Sequence, residues 1–243
     1  MSLKTTIKRA LRAVGLHVYF AAPDALPEHL HGLFSRLGIN VVIDVGGHYG
    51  EYGTRLRAMG YQGRIVSFEP TSEALAKLRP AASGQGDWRV FDSALGSSPG
   101  ELDINIAEHT VFNSFLPASE FSRQQFGAET AVARTERVKV ETLDRMFDRC
   151  VEGVANPRVY LKLDTQGFDL EVLKGARQVL DRVLGLQSEV SVKPIYQGMP
   201  AMADALGIFS ELGFELTGLY PVTRTEDLAV IEFDCVMRRQ AMP

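Results

Sequence analysis

Short runs of branched apolar residues recur along the chain, each closed by a polar residue and most followed by a stretch of helical period. The pattern predicts strands at 41–45, 64–68, 88–95, 101–107, 137–140, 158–163 and 184–192, and helices at 50–58, 71–78, 143–149, 169–180 and 201–212. Thr71 or Ser72 is placed to cap the second helix. Up to residue 95 strand and helix alternate, which requires parallel strands with helices on both faces of a sheet. The alternation lapses over residues 108–136, a stretch long enough to act as a binding loop or lid, and resumes at 158. Two late strands, GFELTGLYP and AVIEFDCVMRR, are separated only by VTRTEDL. So short a connection can join only antiparallel strands. The expected fold is α/β, a mostly parallel sheet finished by a C-terminal antiparallel hairpin and carrying an inserted β/loop segment.

At the start of the chain Leu3, Ile7, Ala10, Leu11 and Val14 share a helical face, Lys4, Lys8, Arg9 and Arg12 occupy much of the rest, and Gly15 is a helix stop. This predicts an amphipathic helical extension over 1–38, ahead of a domain over 39–243. Its apolar face is expected to pack on that domain or on a second copy as a homodimer; lying on a membrane surface is the less favoured alternative.

Composition narrows the picture. The 243 residues are 45% apolar with a formal net charge of −4, which suits one large domain and offers no basic stripe for nucleic acid. Cys150 and Cys235 are the two cysteines, without metal-ligand spacing, in keeping with a reduced, cytoplasmic setting. No segment has the length of a membrane span, and the first residues lack the apolar core of a signal peptide.

The chemistry concentrates at predicted strand ends. VVIDVGGHYG places Asp44, Gly46, Gly47, His48 and Gly50 where a first strand runs into a helix, and Glu69 with Pro70 closes the second strand. In a doubly wound sheet, ligands bind beyond these carboxyl ends. Glycines let backbone approach a ligand, and an acid after the second strand can accept hydrogen bonds from ribose hydroxyls. The frame is D-x-G-G-x-x-G rather than G-x-G-x-x-G, so a pyrophosphate is not required. S-adenosylmethionine offers ribose and adenine without phosphate. Asp44 would order the loop or meet the cofactor's ammonium, and Asp92 and Ser93 are placed to meet adenine.

With IDVGGHYG at 43–50, FEP at 68–70, SALG at 93–96, VETLD at 140–144 and LKLDTQGFDLEVLKGA at 161–176, the chain resembles the FkbM family of S-adenosylmethionine-dependent methyltransferases. The resemblance implies a class I methyltransferase (Rossmann-like) fold with a seven-stranded sheet whose last strand is antiparallel. It also implies methyl transfer to oxygen, often a hydroxyl of a sugar, glycan or polyketide. Many members read D-x-E-G-x-E where this chain has Asp164, Gln166, Gly167 and Asp169, so no carboxylate stands at 166.

A hydroxyl attacks poorly until a base or metal draws off its proton. Asp164 is the leading carboxylate for that role, or for holding a divalent ion such as Mg²⁺; its structural alternatives are a helix cap or a hold on the cofactor's ammonium. Glu189 lies in the apolar run LQSEVSV and needs a partner or a site; Lys162 and Lys193 are the candidate partners. His109, in the insertion, is a further candidate base. Asn113, Ser114 and Gln166 are expected to bind substrate, and Tyr196 and Tyr220 to form a pocket wall. The reading from a different class is a cofactor-binding module without turnover, acting in a larger assembly.

Overall fold

The computed structural model describes residues 26–240, so the basic amphipathic segment at 3–15 lies outside it. In chain order the elements are α1 (Leu26–Leu37), β1 (Val41–Val45), α2 (Glu51–Ala58), β2 (Arg64–Phe68), α3 (Ser72–Ala82), β3 (Trp88–Phe91), β4 (Ala94–Leu95) and β5 (Gly100–Ala107). There follow α4 (Glu120–Phe126), β6 (Val132–Glu141), α5 (Leu143–Val151), β7 (Val159–Leu163), α6 (Asp169–Lys174), β8 (Val183–Ser191), α7 (Met202–Glu211), β9 (Phe214–Arg224) and β10 (Val230–Arg239).

The main sheet has the order β3-β2-β1-β7-β8-β10-β9. β10 runs antiparallel to β9, as the short loop between them requires, and also to β8 on its other side. Strand order reverses between β1 and β7, so the carboxyl ends of these two strands open a crevice. β1 is buried along its whole length because both faces are covered. Val41, Ile43 and Val45 pack with Leu143, Phe147 and Cys150 of α5 and Val172 of α6. Val42 faces the opposite layer, with Leu56 of α2, Leu78 of α3 and Leu30, Leu33 and Phe34 of α1. The α1 residues follow helical spacing, and the Phe34 ring meets Tyr160 edge-on at 4.7 Å. Each such buried side chain stabilises by about 1.5–3 kcal/mol. Among the described residues, no helix is long and apolar enough to cross a membrane.

A second sheet, β4-β6-β5, stands beside the first. Here the structure departs from the pattern of the sequence. The strand expected at 88–95 is two strands: β3 ends at Phe91, and Ala94 pairs instead with Val140 of β6. The strand expected at 137–140 is longer, because β6 pairs with β5 from Val132 onward while its first residues stay exposed. The helix expected at 169–180 stops after Lys174. Gly175 lies so close to the Gly96 carbonyl that a Cβ there would sit 2.0 Å from its oxygen. Residues 108–136 hold a 3₁₀ turn at Thr110–Phe112, then α4, then a second 3₁₀ turn at Gly127–Thr130.

Gly46 shows how tightly the crevice is built. Its φ is +84°, and a Cβ there would lie 2.0 Å from the Asp164 carbonyl oxygen. The close approach is thus between the β1 and β7 loops themselves. Gly46→Ala is predicted to lose about 2–4 kcal/mol through overpacking and left-handed strain. A denaturant midpoint shift tests it, and an unchanged midpoint would mean that the two loops separate freely.

Candidate active site

The strands of the parallel sheet deliver their terminal residues to one cavity of about 600 Å³, a size suited to a cofactor-sized molecule. Gly46 and Gly47 follow β1, Glu69 and Pro70 follow β2, and Asp164 to Gln166 follow β7. Glu189 comes from β8, while β10, running the other way, brings Glu232 and Asp234 to the same rim near its start.

Lys162 anchors the floor. Its ammonium is buried, 3.0 Å from Asp44 Oδ1 and 3.2 Å from Asp164 Oδ2, and reaches the Gly46 carbonyl at 3.4 Å. The Asp44 contact is electrostatic rather than a well-directed hydrogen bond. Asp44, fully buried, accepts a hydrogen bond from Ser67 Oγ at 3.0 Å, and Trp88 Nε1 donates to that hydroxyl in turn. Burial works against the Lys162 charge, but Asp164 and Asp44 outweigh it and hold its pKa above the ordinary value. Burial pushes the Asp44 carboxyl up despite Lys162.

The first loop satisfies its own amides. The Gly46 and Gly47 N–H groups donate to the Phe68 carbonyl, His48 N–H to Glu69, Tyr49 N–H to Glu51, and Gly50 N–H to the Gly47 carbonyl. No amide of residues 46–50 is left to cradle a pyrophosphate, in contrast to a dinucleotide loop. The arrangement fits a phosphate-free nucleoside cofactor. Glu69 accepts from His48 N–H at 2.9 Å through one oxygen, and from Thr71 N–H and Oγ1 at 2.9 and 2.6 Å through the other. Its carboxylate lines the cavity with one acceptor site left, on Oε2, although burial raises its pKa. His48, at φ +43°, stacks on Tyr49, and its Nε2 lies 3.0 Å from Thr110 Oγ1, joining this loop to the insertion.

At the far end Gln166 organises two carboxylates. Its Nε2 donates to Asp164 Oδ1 at 2.9 Å and to Glu189 Oε2 at 3.4 Å. The Tyr196 hydroxyl donates to Gln166 Oε1 at 2.8 Å, which fixes the amide orientation. Burial, reinforced by Asp164, Glu232 and Asp234, lifts the Glu189 pKa well above its ordinary value. Glu232 is pushed up to about 6, chiefly by burial, against a hydrogen bond from Ser191. Burial also raises Asp234, which accepts from Gln187 Nε2 at 2.7 Å.

The remaining sequence candidates divide. Asn113 lines the cavity, and its Oδ1 takes the Ala107 N–H. Ser114 is buried behind it, donating to the Gln166 carbonyl at 2.7 Å and so tying the insertion to the β7 loop. Asp44 and Gly50 lie beneath the wall; Gly50 precedes α2 with φ +91°. Asp92 is exposed and pairs with Arg79, Ser93 is buried, and their neighbours Ala94 and Leu95 line the cavity instead. His109 is exposed and off the wall, whereas the next residue, Thr110, is on it. Tyr220 packs beside α1, against His29. Neither proposed lysine pairs with Glu189: Lys162 takes Asp44 and Asp164, and Lys193 lies over the Phe121 ring. The helix after TQG is pinned by Asp169, which accepts from Thr165 N–H and Ser188 Oγ, so Asp164 is not its cap. Glu232, Asp234 and Gln187 were missed; two acids two apart in an apolar strand, on one face at its start, were the available signal. Among the described residues, no group of three or more His, Cys, Asp or Glu is arranged to hold a metal ion.

Comparison with known proteins adds the family. The model of the methyltransferase FkbM domain matches residues 44–216. The 2-O-methyltransferase NoeI of Sinorhizobium fredii (strain NBRC 101917 / NGR234) is 23% identical over 189 residues, 74% of each chain. Among solved structures, an rRNA methylase from Streptococcus thermophilus aligns with a TM-score of 0.47 at 12% identity, over 91% of this chain and 100% of that one. Magnesium protoporphyrin IX methyltransferase from Synechocystis PCC 6803, with bound SAM, aligns at 0.45 and 11%, over 99% and 98%.

The site's buried charge gives a test. Lys162→Met leaves Asp44 without its counter-charge, and breaking a buried pair costs about 3–5 kcal/mol. The variant's Asp44 has a folded pKa raised further above its unfolded value, so the lost stability is greatest at neutral pH and partly returns as acid protonates Asp44. Denaturation at neutral and mildly acidic pH, with Lys162→Met/Asp44→Asn as the rescue, measures this. A loss that is small and indifferent to pH would refute the role given to Lys162.

Proposed function

The chain belongs to the FkbM methyltransferase family, and from that premise we propose that it moves a methyl group from S-adenosylmethionine to a hydroxyl oxygen of a small-molecule or glycan acceptor. The observation that carries the oxygen assignment is one cavity with Glu69 toward one side of the strand reversal and the Asp164–Glu189 pair toward the other. The 2-O-methyltransferase relative supports oxygen as the methylated atom.

When bound, the cofactor supplies an electrophilic methyl group on a sulfonium. Glu69 is assigned to the ribose hydroxyls, with Pro70 and the Ala94–Leu95 wall beside the base. The carboxylates of Asp164 and Glu189 are assigned to the acceptor hydroxyl, orienting it and managing its proton. Neighbouring Asp234 and Glu232 make this end acidic, which favours a neutral or cationic acceptor over an anionic one. Residues 108–136 are assigned as a cover: Thr110, Phe112, Asn113 and Phe126 face the cavity, and closure there excludes water from the transfer.

Product analysis with ¹³C-methyl cofactor and methyl glycosides bearing a free 2-hydroxyl tests the reading. A new methoxy carbon is expected; methyl on nitrogen or carbon would reject it. A charged hydrogen bond is worth about 1.5–3 kcal/mol, so Glu69→Ala should weaken S-adenosylhomocysteine binding roughly ten- to a hundredfold by calorimetry. Unchanged affinity in a folded variant places the nucleoside elsewhere. Hydrogen exchange over 108–136 should slow when cofactor and acceptor bind, and equal protection would make the segment a fixed insertion.

A further inference from the structure

Two carboxylates border the acceptor end, and their surroundings differ. Asp164 is engaged on both oxygens: Oδ2 by the Lys162 ammonium at 3.2 Å, Oδ1 by the Gln166 amide at 2.9 Å. A carboxylate held by a buried cation is stabilised in its charged form and is a poor proton acceptor. Glu189 forms no ion pair with a cation among the described residues. Glu189 lines the cavity, and its one directed contact is the longer hydrogen bond from Gln166 to Oε2, which leaves Oε1 without a hydrogen bond among the described residues. Its opposite residue on β10 is Asp234, with Glu232 two positions along, so the surroundings favour its gaining a proton.

Building on the proposed oxygen transfer, we propose that Glu189 is the proton acceptor of the reaction. Asp164 is taken up by Lys162 and the Gln166 amide, and Gln166 is the positioning residue that sets Glu189 beside the hydroxyl. As the new C–O bond forms and the C–S bond breaks, with its electron pair left on sulfur, the hydroxyl proton passes to Glu189 Oε1. The positive charge of the sulfonium and the negative charge of the carboxylate disappear together, so the closed cavity ends the step without a new charge. The substitution of Gln for the family's usual Glu at 166 acquires a reason. A carboxylate there would face both Asp164 and Glu189, whereas the amide donates to both while Tyr196 holds its carbonyl.

The groups facing Glu189 are Lys162 from β7, Asp164 just after it, Glu232 and Asp234 from β10, and Tyr196 from the loop after β8, with neutral Gln166 between. The acids raise its affinity for a proton and Lys162 lowers it, with the acids prevailing. A base of raised pKa must lose its proton before it acts, so turnover rises with pH through the Glu189 titration.

The test pairs carboxyl ¹³C titration of the S-adenosylhomocysteine complex with turnover on the methyl glycoside panel. Glu189 should titrate well above the ordinary glutamate value. Glu189→Gln should bind S-adenosylhomocysteine normally, lose about 10²–10⁴-fold in turnover, and lose the rise with pH. Asp164→Asn should slow turnover but keep the rise, and Gln166→Glu should move it to higher pH. A Glu189 that titrates as an ordinary carboxylate, a Glu189→Gln enzyme with its pH profile intact, or a rise that disappears in Asp164→Asn overturns the assignment while leaving oxygen transfer standing. If the wild-type titration behaves as stated but no glycoside gains a methoxy group, the oxygen-transfer reading fails, and this assignment with it.

Discussion

A single buried ammonium holds the cavity floor together. Lys162 stands on β7 beside Asp44 of β1 in the parallel ladder, and it also reaches Asp164 and the Gly46 carbonyl. Two strand ends more than a hundred residues apart in the chain, those of β1 and β7, are thereby fixed within a few ångströms. The contact between Gly46 and the Asp164 carbonyl locks the same junction sterically. Buried charge of this kind is costly unless fully compensated. Here the Ser67 hydroxyl and the Trp88 indole complete the compensation on the Asp44 side.

From that junction the cavity divides by chemistry. On the β2 side, Glu69 is held by backbone amides, and the loop amides of residues 46–50 are already paired. A side chain, not an amide nest, is left to meet the cofactor. On the β8 and β10 side, acids outnumber cations, and neutral donors from Gln166, Gln187 and Ser191 hold them in place. The insertion reaches both regions, through Thr110 to His48 and through Ser114 to Gln166, so it is positioned to sense whether each is filled.

The sequence made the central strands legible because burial on both faces leaves unbroken apolar runs such as Val41–Val45 and Val159–Leu163. The hairpin was legible from loop length alone. β6 was only partly so: its first half, Val132 to Glu136, is largely exposed on a small sheet and carries no burial pattern. The end of α6 was hidden because Gly175 acts through a contact with Gly96, far away in the chain. The same limit applied at the site. Residues that follow strands directly, such as Glu69 and Asp164, could be placed from the fold rule. Asp92, Ser93 and His109 could not, since their orientation depends on where β3 ends and how the insertion turns. The acids of β10 escaped notice because an antiparallel strand brings its beginning, not its end, to the rim.

The most direct measurement is a crystal structure of the full chain with S-adenosylhomocysteine. The account predicts that both ribose hydroxyls lie within hydrogen-bonding distance of Glu69 and that the sulfur faces the space between Asp164 and Glu189. A ribose bound away from Glu69, or a sulfur turned from those two carboxylates, would contradict it.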